Sequence, residues 1–125
     1  PEYGYGHTRF DFFLVSNSEE CLLEVKSTTL VKDGVAMFPD AVTARGTRHV
    51  NHLVKAKKEG YRASILFIIQ RADACAFDPC DEIDPKFGKA LRNAALEGVE
   101  IYAYKMNISH NFSILSLSTK LNVNL

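Results

Sequence analysis

The alternation of apolar and polar positions predicts strands in the first third of the chain and two helix–strand units after it. Four segments rich in Phe, Leu and Val have the composition of strands. Turn sequences separate them in pairs, at Asn17-Ser18 and at Lys32-Asp33-Gly34. The predicted strands are residues 8–16, 19–27, 28–31 and 35–38. Two antiparallel hairpins are therefore expected first.

Two helices are predicted from their start and stop signals. The first covers residues 44–59, with Thr43 as its N-cap and a narrow apolar stripe. The second opens at Asp84, which is followed by Pro85 at the first helical position, and it stops before Gly98.

The run at residues 63–70 is apolar without alternation, which is typical of a central parallel strand buried on both faces. Residues 71–83 are predicted to form a loop, residues 99–105 a further strand, and residues 107–125 a weakly alternating tail. Strands followed by helix, strand, helix and strand indicate an α/β fold. We expect a mixed β-sheet flanked by helices on both faces.

Composition narrows the function classes. The 125 residues suit one domain, and 15 Lys+Arg balance 15 Asp+Glu, so any nucleic-acid surface must be local. The longest apolar run is too short for a membrane helix, and no signal peptide is recognisable. Three cysteines suggest free thiols and a cytoplasmic protein. Because the chain begins at Pro1, we interpret it as a fragment of a longer protein.

The first hairpin places charged side chains together. If the turn is centred between Asn17 and Ser18, Asp11 lies opposite Glu24 and Arg9 lies opposite Lys26. Alternation then puts these four on one face. The other face carries four apolar side chains that we expect to belong to the core: Phe10, Phe12, Leu23 and Val25.

Two opposed carboxylates repel each other unless a cation lies between them. Mg²⁺ binds such carboxylates together with waters and substrate phosphates, and Lys26 would point into the same space. It could orient an attacking water or stabilise a charged transition state. The alternative is a solvated hairpin face with two local ion pairs.

At these residues the chain resembles a known family. Arg9-Phe10-Asp11-Phe12 and Leu23-Glu24-Val25-Lys26-Ser27 follow the Asp…Glu-x-Lys pattern of the PD-(D/E)XK nuclease superfamily. The flanking sequence is similar to the sugar fermentation stimulation protein A family over about residues 2–105. The matching stretches are residues 6–12, 24–30, 33–36, 38–41, 67–71 and 81–85, with Thr43, Arg45-Gly46 and Arg48-His49.

This resemblance implies a restriction-endonuclease-like core over residues 1–125, as the C-terminal domain of a protein whose N-terminal OB-like domain is absent here. It implies Asp11 and Glu24 as ligands of Mg²⁺ or Mn²⁺, with the Val25 carbonyl as a third. Lys26 would be the catalytic lysine and Gln70 an auxiliary polar residue. Family members have been described as DNA-binding regulators of sugar (maltose) utilisation.

A nucleic-acid surface is predicted beside this site. Arg45, Arg48 and His49 belong to one stripe of the first helix and match the family motif, and Arg9 lies on the charged hairpin face. The alternative is a solvated helix face. Phosphate contacts would make the binding non-specific and salt-dependent. Whether the domain forms a homodimer is left open by the sequence.

The leading hypothesis is a metal-dependent phosphodiester hydrolase that is linked to the regulation of sugar metabolism. The competing hypothesis is a non-catalytic, non-specific DNA-binding regulator. Retention of Asp11, Glu24 and Lys26 together favours the enzyme, because binding alone does not need two opposed carboxylates.

Overall fold

The computed structural model describes residues 3–5, 8–10, 12–16, 19–108 and 115–125. Within these ranges the strands lie in three sheets, and two helices connect the parallel strands. The elements are β1 (Tyr3–Tyr5), β2 (Thr8–Phe10), β3 (Phe12–Ser16), β4 (Glu19–Thr28), β5 (Leu30–Lys32), β6 (Val35–Phe38), α1 (Ala44–Lys58), β7 (Arg62–Ile69), β8 (Ala76–Pro79), α2 (Pro85–Leu96), β9 (Glu100–Ile108), β10 (Leu115–Lys120) and β11 (Asn122–Val123). Neither helix is both long and apolar enough to cross a bilayer.

The central sheet has the order β10-β9-β7-β4-β3, and its middle strands β4, β7 and β9 are parallel. After β4 the chain passes Thr29 and enters a second sheet of four strands, in the order β11-β8-β6-β5. Strands β1 and β2 form a separate pair. Both hairpins form, but the first strand is shorter than predicted, because residues 8–10 form β2, which pairs with β1. The ladder between β3 and β4 has the predicted register, from Ser16 opposite Glu19 to Phe12 opposite Leu23.

Both helices contribute to one core on one face of the central sheet. Val50 and Leu53 of α1, Phe87 and Leu91 of α2, and Phe67 of β7 are fully buried in the same cluster. Aromatic rings fill its centre, with Phe67 stacked on Phe77 at a centroid distance of 4.2 Å. The mixed α/β class is confirmed, while the described residues place helices on one face only.

The other face of the central sheet carries half-buried side chains. Cys21, Leu23, Leu66, Tyr102 and Tyr104 line a hollow of about 470 Å³ there. The expectation that Leu23 and Val25 face the core was wrong for the described residues. Leu22 is fully buried instead, because the helices cover the even-numbered side chains of β4.

An ion pair joins the starts of β7 and β9 near this hollow. Arg62 donates from Nε and Nη2 to the two carboxylate oxygens of Glu100, at 2.5 and 2.8 Å. The Tyr102 hydroxyl donates to Glu100 Oε1 at 2.6 Å. Hydrogen bonds from Arg62 outweigh partial burial and lower the pKa of Glu100 to about 2.

Both helices begin where capping chemistry predicts. The Thr43 hydroxyl accepts from the Gly46 N–H at 2.9 Å, and the Asp84 carboxylate accepts from the Phe87 N–H at 3.1 Å. The predicted loop at residues 71–83, however, contains β8. This strand has only four residues and includes Asp and Pro, so its pattern is too short to indicate a strand without its partners β6 and β11.

Candidate functional site

The candidate site lies on β4, just beyond its described ladder with β3. Phe12 opposite Leu23 is the last described pair, and Glu24 follows directly. On its other side β4 continues in parallel with β7, where Glu24 pairs with Ile65 and Lys26 with Phe67. Because side chains alternate along a strand, Leu22, Glu24 and Lys26 all point toward α1.

Glu24 is a buried carboxylate with two cationic or polar nitrogens against it. Its residue exposure is only 3%. Lys26 Nζ lies 3.4 Å from Glu24 Oε1, and His49 Nδ1 lies 3.2 Å from Glu24 Oε2. Lys26 Nζ also lies 3.1 Å from His49 Nδ1. A buried charge needs such partners, because ionisation without them is costly in a medium of low polarity.

The tautomer of His49 decides which of these contacts are hydrogen bonds. Arg45 Nε, which can only donate, lies 3.4 Å from His49 Nε2. With its proton on Nδ1, the ring accepts from Arg45 at Nε2, and Lys26 is left to bind Glu24 Oε1. With its proton on Nε2, the ring accepts from Lys26 at Nδ1 and loses the hydrogen bond from Arg45. Each neutral tautomer therefore satisfies one of these two hydrogen bonds.

Helix α1 brings His49 and Arg45 to the site because residues four apart share a helix face. Arg48 is exposed and lies on the flank of α1 that borders α2. The stripe predicted along this helix is therefore divided between two surfaces. His49 was predicted to contact phosphate, but it is only 6% exposed and contacts Glu24 and Lys26 instead.

Of the four remaining predicted residues, the structure describes Arg9, Val25 and Gln70. Asp11 lies outside the described residues. Arg9 lies in β2, where its described backbone partner is Gly4 of β1 and not Lys26. Val25 is half-buried between Glu24 and Lys26. Gln70 is exposed and donates through its side-chain amide to the Ser27 hydroxyl, so it is not brought to Lys26: Ser27 points to the opposite face of β4.

The chemistry of Glu24 fits a hard divalent cation. Two acidic side chains are buried in the described part of the chain, Glu24 and Asp84. Asp84 uses both oxygens as acceptors for the N–H groups of Thr43 and Phe87, whereas Glu24 faces the side-chain nitrogens of the site. No three acidic, Cys or His side chains cluster as metal ligands within the described ranges.

Two features of the site are absent from the sequence-based predictions. One is the contact of His49 with Glu24, for which the i, i+4 spacing of Arg45 and His49 is only an ambiguous signal. The other is Thr28, whose buried Oγ1 has no hydrogen-bond partner among the described residues. It lies on the same face of β4 as Lys26, and the even spacing of residues 24, 26 and 28 could have indicated this.

Comparisons with known proteins agree with this architecture. Residues 1–112 match the family described as the sugar fermentation stimulation protein RE domain. A sugar fermentation stimulation protein homolog of Syntrophotalea carbinolica is 52% identical over 110 residues, which are 87% of this chain and 48% of that protein. A homolog of Symbiobacterium thermophilum is 52% identical over 121 residues, covering 92% of this chain and 48% of the relative.

A solved structure extends the match to three dimensions. It is the structure of Pyrococcus furiosus SfsA in complex with Ca²⁺, and it superposes with a TM-score of 0.91 at 31% identity. The superposition covers 99% of this chain and 53% of that one. The chain thus spans about half the length of the curated relatives it matches. It belongs to the sugar fermentation stimulation protein family and carries the family's restriction-endonuclease-like domain.

Proposed function

We propose that this chain is the metal-binding part of a nucleic-acid phosphodiester hydrolase. The single observation that carries the proposal is the buried Glu24 carboxylate with Lys26 Nζ at 3.4 Å and His49 Nδ1 at 3.2 Å. Burial of an acid beside a lysine, at the position where the Asp…Glu-x-Lys pattern expects both, is difficult to explain by stability alone. Buried ion pairs are often no more stable than apolar residues of the same volume.

Glu24 and Asp11 would hold Mg²⁺ or Mn²⁺, with the Val25 carbonyl as a further oxygen ligand. The similar Pyrococcus furiosus protein was solved in complex with Ca²⁺, a cation with the same preference for oxygen ligands. When bound, such a cation polarises a phosphoryl oxygen and offsets the charge that develops on it.

The protein's own side chains supply the remaining chemistry. Lys26 Nζ is held by Glu24 Oε1 and is 15% exposed, so it can reach a phosphate that approaches from solvent. There it would orient the attacking water and donate to the developing negative charge. His49 holds Glu24 from the side of α1, and Arg45 holds His49. Both act by positioning.

The experiment compares plasmid and single-stranded DNA cleavage with Mg²⁺ or Mn²⁺ by the purified protein and two variants that each remove one charge. Glu24→Gln and Lys26→Gln should each lower the cleavage rate by about 100-fold or more, the usual cost of removing an electrostatic transition-state contact. Glu82→Gln and Lys32→Gln are the matched controls, because both residues are exposed and belong to no ion pair in the described part of the chain. Glu24→Gln should also weaken Mn²⁺ binding in calorimetry, whereas Glu82→Gln should not.

The result that contradicts the hydrolase is salt-sensitive DNA binding with no cleavage by the wild-type protein under either metal. That result would support the second candidate, a non-catalytic DNA-binding regulator of sugar (maltose) utilisation genes. The observation that favours this candidate is the name borne by the curated relatives, which ties the family to sugar fermentation. In either case the other half of the relatives' length, which we propose to include an OB-like domain, would contribute to binding.

A further inference from the structure

A groove with polar and cationic side chains along it runs between α1 and α2, on the side of α1 away from Glu24. One part of it, about 350 Å³, is lined by Thr47 and Asn51 of α1 and by Lys86, Lys89 and Asn93 of α2. The adjoining part, about 220 Å³, shares Thr47 and Lys86 with the first and adds Arg48. Because both parts share lining residues on each helix, they form one continuous groove, which we call the interhelical groove.

The cations of the interhelical groove are not used in ion pairs. Arg48, Lys86 and Lys89 are all exposed, and in the described part of the chain none has a carboxylate within 4.0 Å. Three other arginines differ. Arg62, Arg71 and Arg92 each donate two hydrogen bonds to one carboxylate.

The acid in the groove does not neutralise these cations. Asp84 is only 4% exposed. Its Oδ2 accepts from the Thr43 N–H at 2.9 Å and its Oδ1 from the Phe87 N–H at 3.1 Å, so its charge is directed into the starts of the two helices. The groove therefore presents a surplus of positive charge to solvent, which is complementary to a polyanion.

Fold stability does not account for Lys86. It lies in the first turn of α2, directly after Pro85, and no acidic residue accompanies it in that turn. A cation at this end of a helix is unfavourable because the unbonded N–H groups already carry partial positive charge.

The groove and the candidate site lie on opposite flanks of the same helix. Arg45 and His49 extend toward Glu24, Thr47 and Asn51 line the groove, and Arg48 lies between the two sets. An α-helix is about 10 Å across with its side chains, which corresponds to roughly three nucleotides of one strand. A nucleic-acid strand bound at Glu24 therefore needs only about three further nucleotides to reach Lys86 and Lys89.

We propose that the interhelical groove binds the phosphodiester backbone of the nucleic acid whose cleavage we assign to Glu24 and Lys26. This inference rests on the proposed function and extends its contact surface from α1 to Lys86 and Lys89 of α2. The groove contributes phosphate contacts, which position the strand and carry no sequence information.

The test measures binding separately from cleavage. Fluorescence anisotropy in EDTA, over a range of salt concentrations, compares the wild-type protein with the double variant Lys86→Gln/Lys89→Gln. The probes are duplex DNA, single-stranded DNA and single-stranded RNA. We expect roughly tenfold weaker binding to the preferred probe. The slope of log K against log salt concentration is negative, and its magnitude should decrease because two phosphate contacts are lost. The expected decrease is about 1.8 for a duplex and about 1.4 for a single strand.

The matched control is Lys57→Gln/Lys58→Gln, which removes the same charge from the last turn of the neighbouring helix. It should bind within about twofold of wild type. If both double variants weaken binding equally, or if neither does, the groove is overturned. Glu24→Gln distinguishes the proposed hydrolase site from the proposed groove. If this variant binds nucleic acid without cleaving it, and Lys86→Gln/Lys89→Gln binds weakly, both proposals are supported. Loss of cleavage in Glu24→Gln with normal binding by the lysine variant supports the site alone.

Discussion

Arg48 and His49 are neighbours in sequence but have different environments. Both match the family motif, and no sequence pattern separates them. In the structure Arg48 is exposed at the interhelical groove, while His49 is 6% exposed and contacts Glu24. A helix turns by 100° per residue, so adjacent positions face different surroundings. Only the packing of α1 on β4 reveals which residue is turned inward.

This difference predicts opposite effects of two single substitutions. Arg48→Ala should weaken nucleic-acid binding by about one phosphate contact and leave the free energy of unfolding within about 0.5 kcal/mol of wild type. His49→Ala should lower the free energy of unfolding by about 1–3 kcal/mol, because the buried Glu24 carboxylate loses the ring nitrogen that lies 3.2 Å from it, and should leave the salt slope of binding unchanged. Urea unfolding and anisotropy titrations measure both quantities. A stable His49→Ala variant with a reduced salt slope would restore the phosphate-contact role predicted from sequence.

The alternation of side chains along β4 and β7 explains which other site residues were predictable. Glu24 and Lys26 are two apart, so any register puts them on the same face, and the sequence was sufficient. Gln70 follows β7 on the sheet face that carries Ser27, and its amide donates to the Ser27 hydroxyl. Its placement depends on how β7 aligns with β4, and that alignment is a long-range property that no local pattern encodes.

At the scale of elements, the helix starts were the most predictable features, because capping is local chemistry. Thr43 and Asp84 both cap as expected. Strand β8 was missed because its pairing with β6 and β11 supplies what its sequence lacks. The face of β4 that enters the core was predicted wrongly: the hairpin's apolar face was assigned to the core, whereas the helices cover the side that carries Leu22 and Glu24.

The start of α1 leads to an element-scale prediction. Gly46 is buried, and a Cβ added there would lie 2.8 Å from Thr43 Cγ2 and 3.1 Å from Thr43 Oγ1. Replacing glycine with alanine inside a helix normally stabilises it by about 1 kcal/mol. Here Gly46→Ala should instead destabilise the protein by about 1–2 kcal/mol, because Thr43 must give up its capping geometry. Urea denaturation measures the change.

A second substitution tests the cause. Thr43→Ser removes the Cγ2 methyl group and keeps the capping hydroxyl, so Thr43→Ser/Gly46→Ala should recover part of the lost stability. If the double variant is no more stable than Gly46→Ala, the contact with the Thr43 methyl group is not the reason for the loss.

At the scale of the whole molecule, the fold class followed from the order of strands and helices, but the arrangement of the layers did not. Two hairpins and two crossovers were enough to predict a mixed sheet. That α1 and α2 would share one face depends on the packing of Val50 and Leu53 in one cluster with Phe87 and Phe67. These contacts join residues far apart in sequence.

The acid stability of the molecule should depend on the ion pair between β7 and β9. In the folded protein the pKa of Glu100 is about 2, against an ordinary value of 4.5. A lowered pKa means that the stabilisation is complete above about pH 4.5 and is lost as the pH falls toward 2. Because both side chains are partly exposed, we expect it to contribute on the order of 1 kcal/mol.

Glu100→Gln should therefore lower the free energy of unfolding at pH 7 and flatten its decline between pH 5 and 2. Urea unfolding at several pH values measures the slope, with Glu82→Gln as the exposed control. An unchanged acid slope in Glu100→Gln would mean that other carboxylates account for the acid sensitivity, such as Asp81, whose pKa is lowered by its hydrogen bonds from Arg92.

The carboxylate of Asp84 links two parts of the chain that are 41 residues apart, because it holds the Thr43 N–H before α1 as well as the Phe87 N–H of α2. Unwinding the first turn of either helix would leave one oxygen of this carboxylate without its donor, while the other oxygen still binds the second helix. The two turns should therefore open together, as one cooperative unit in native-state hydrogen exchange. The residues of α1 and α2 that line the interhelical groove would then keep their spacing during local fluctuations, because Asp84 binds the starts of both helices.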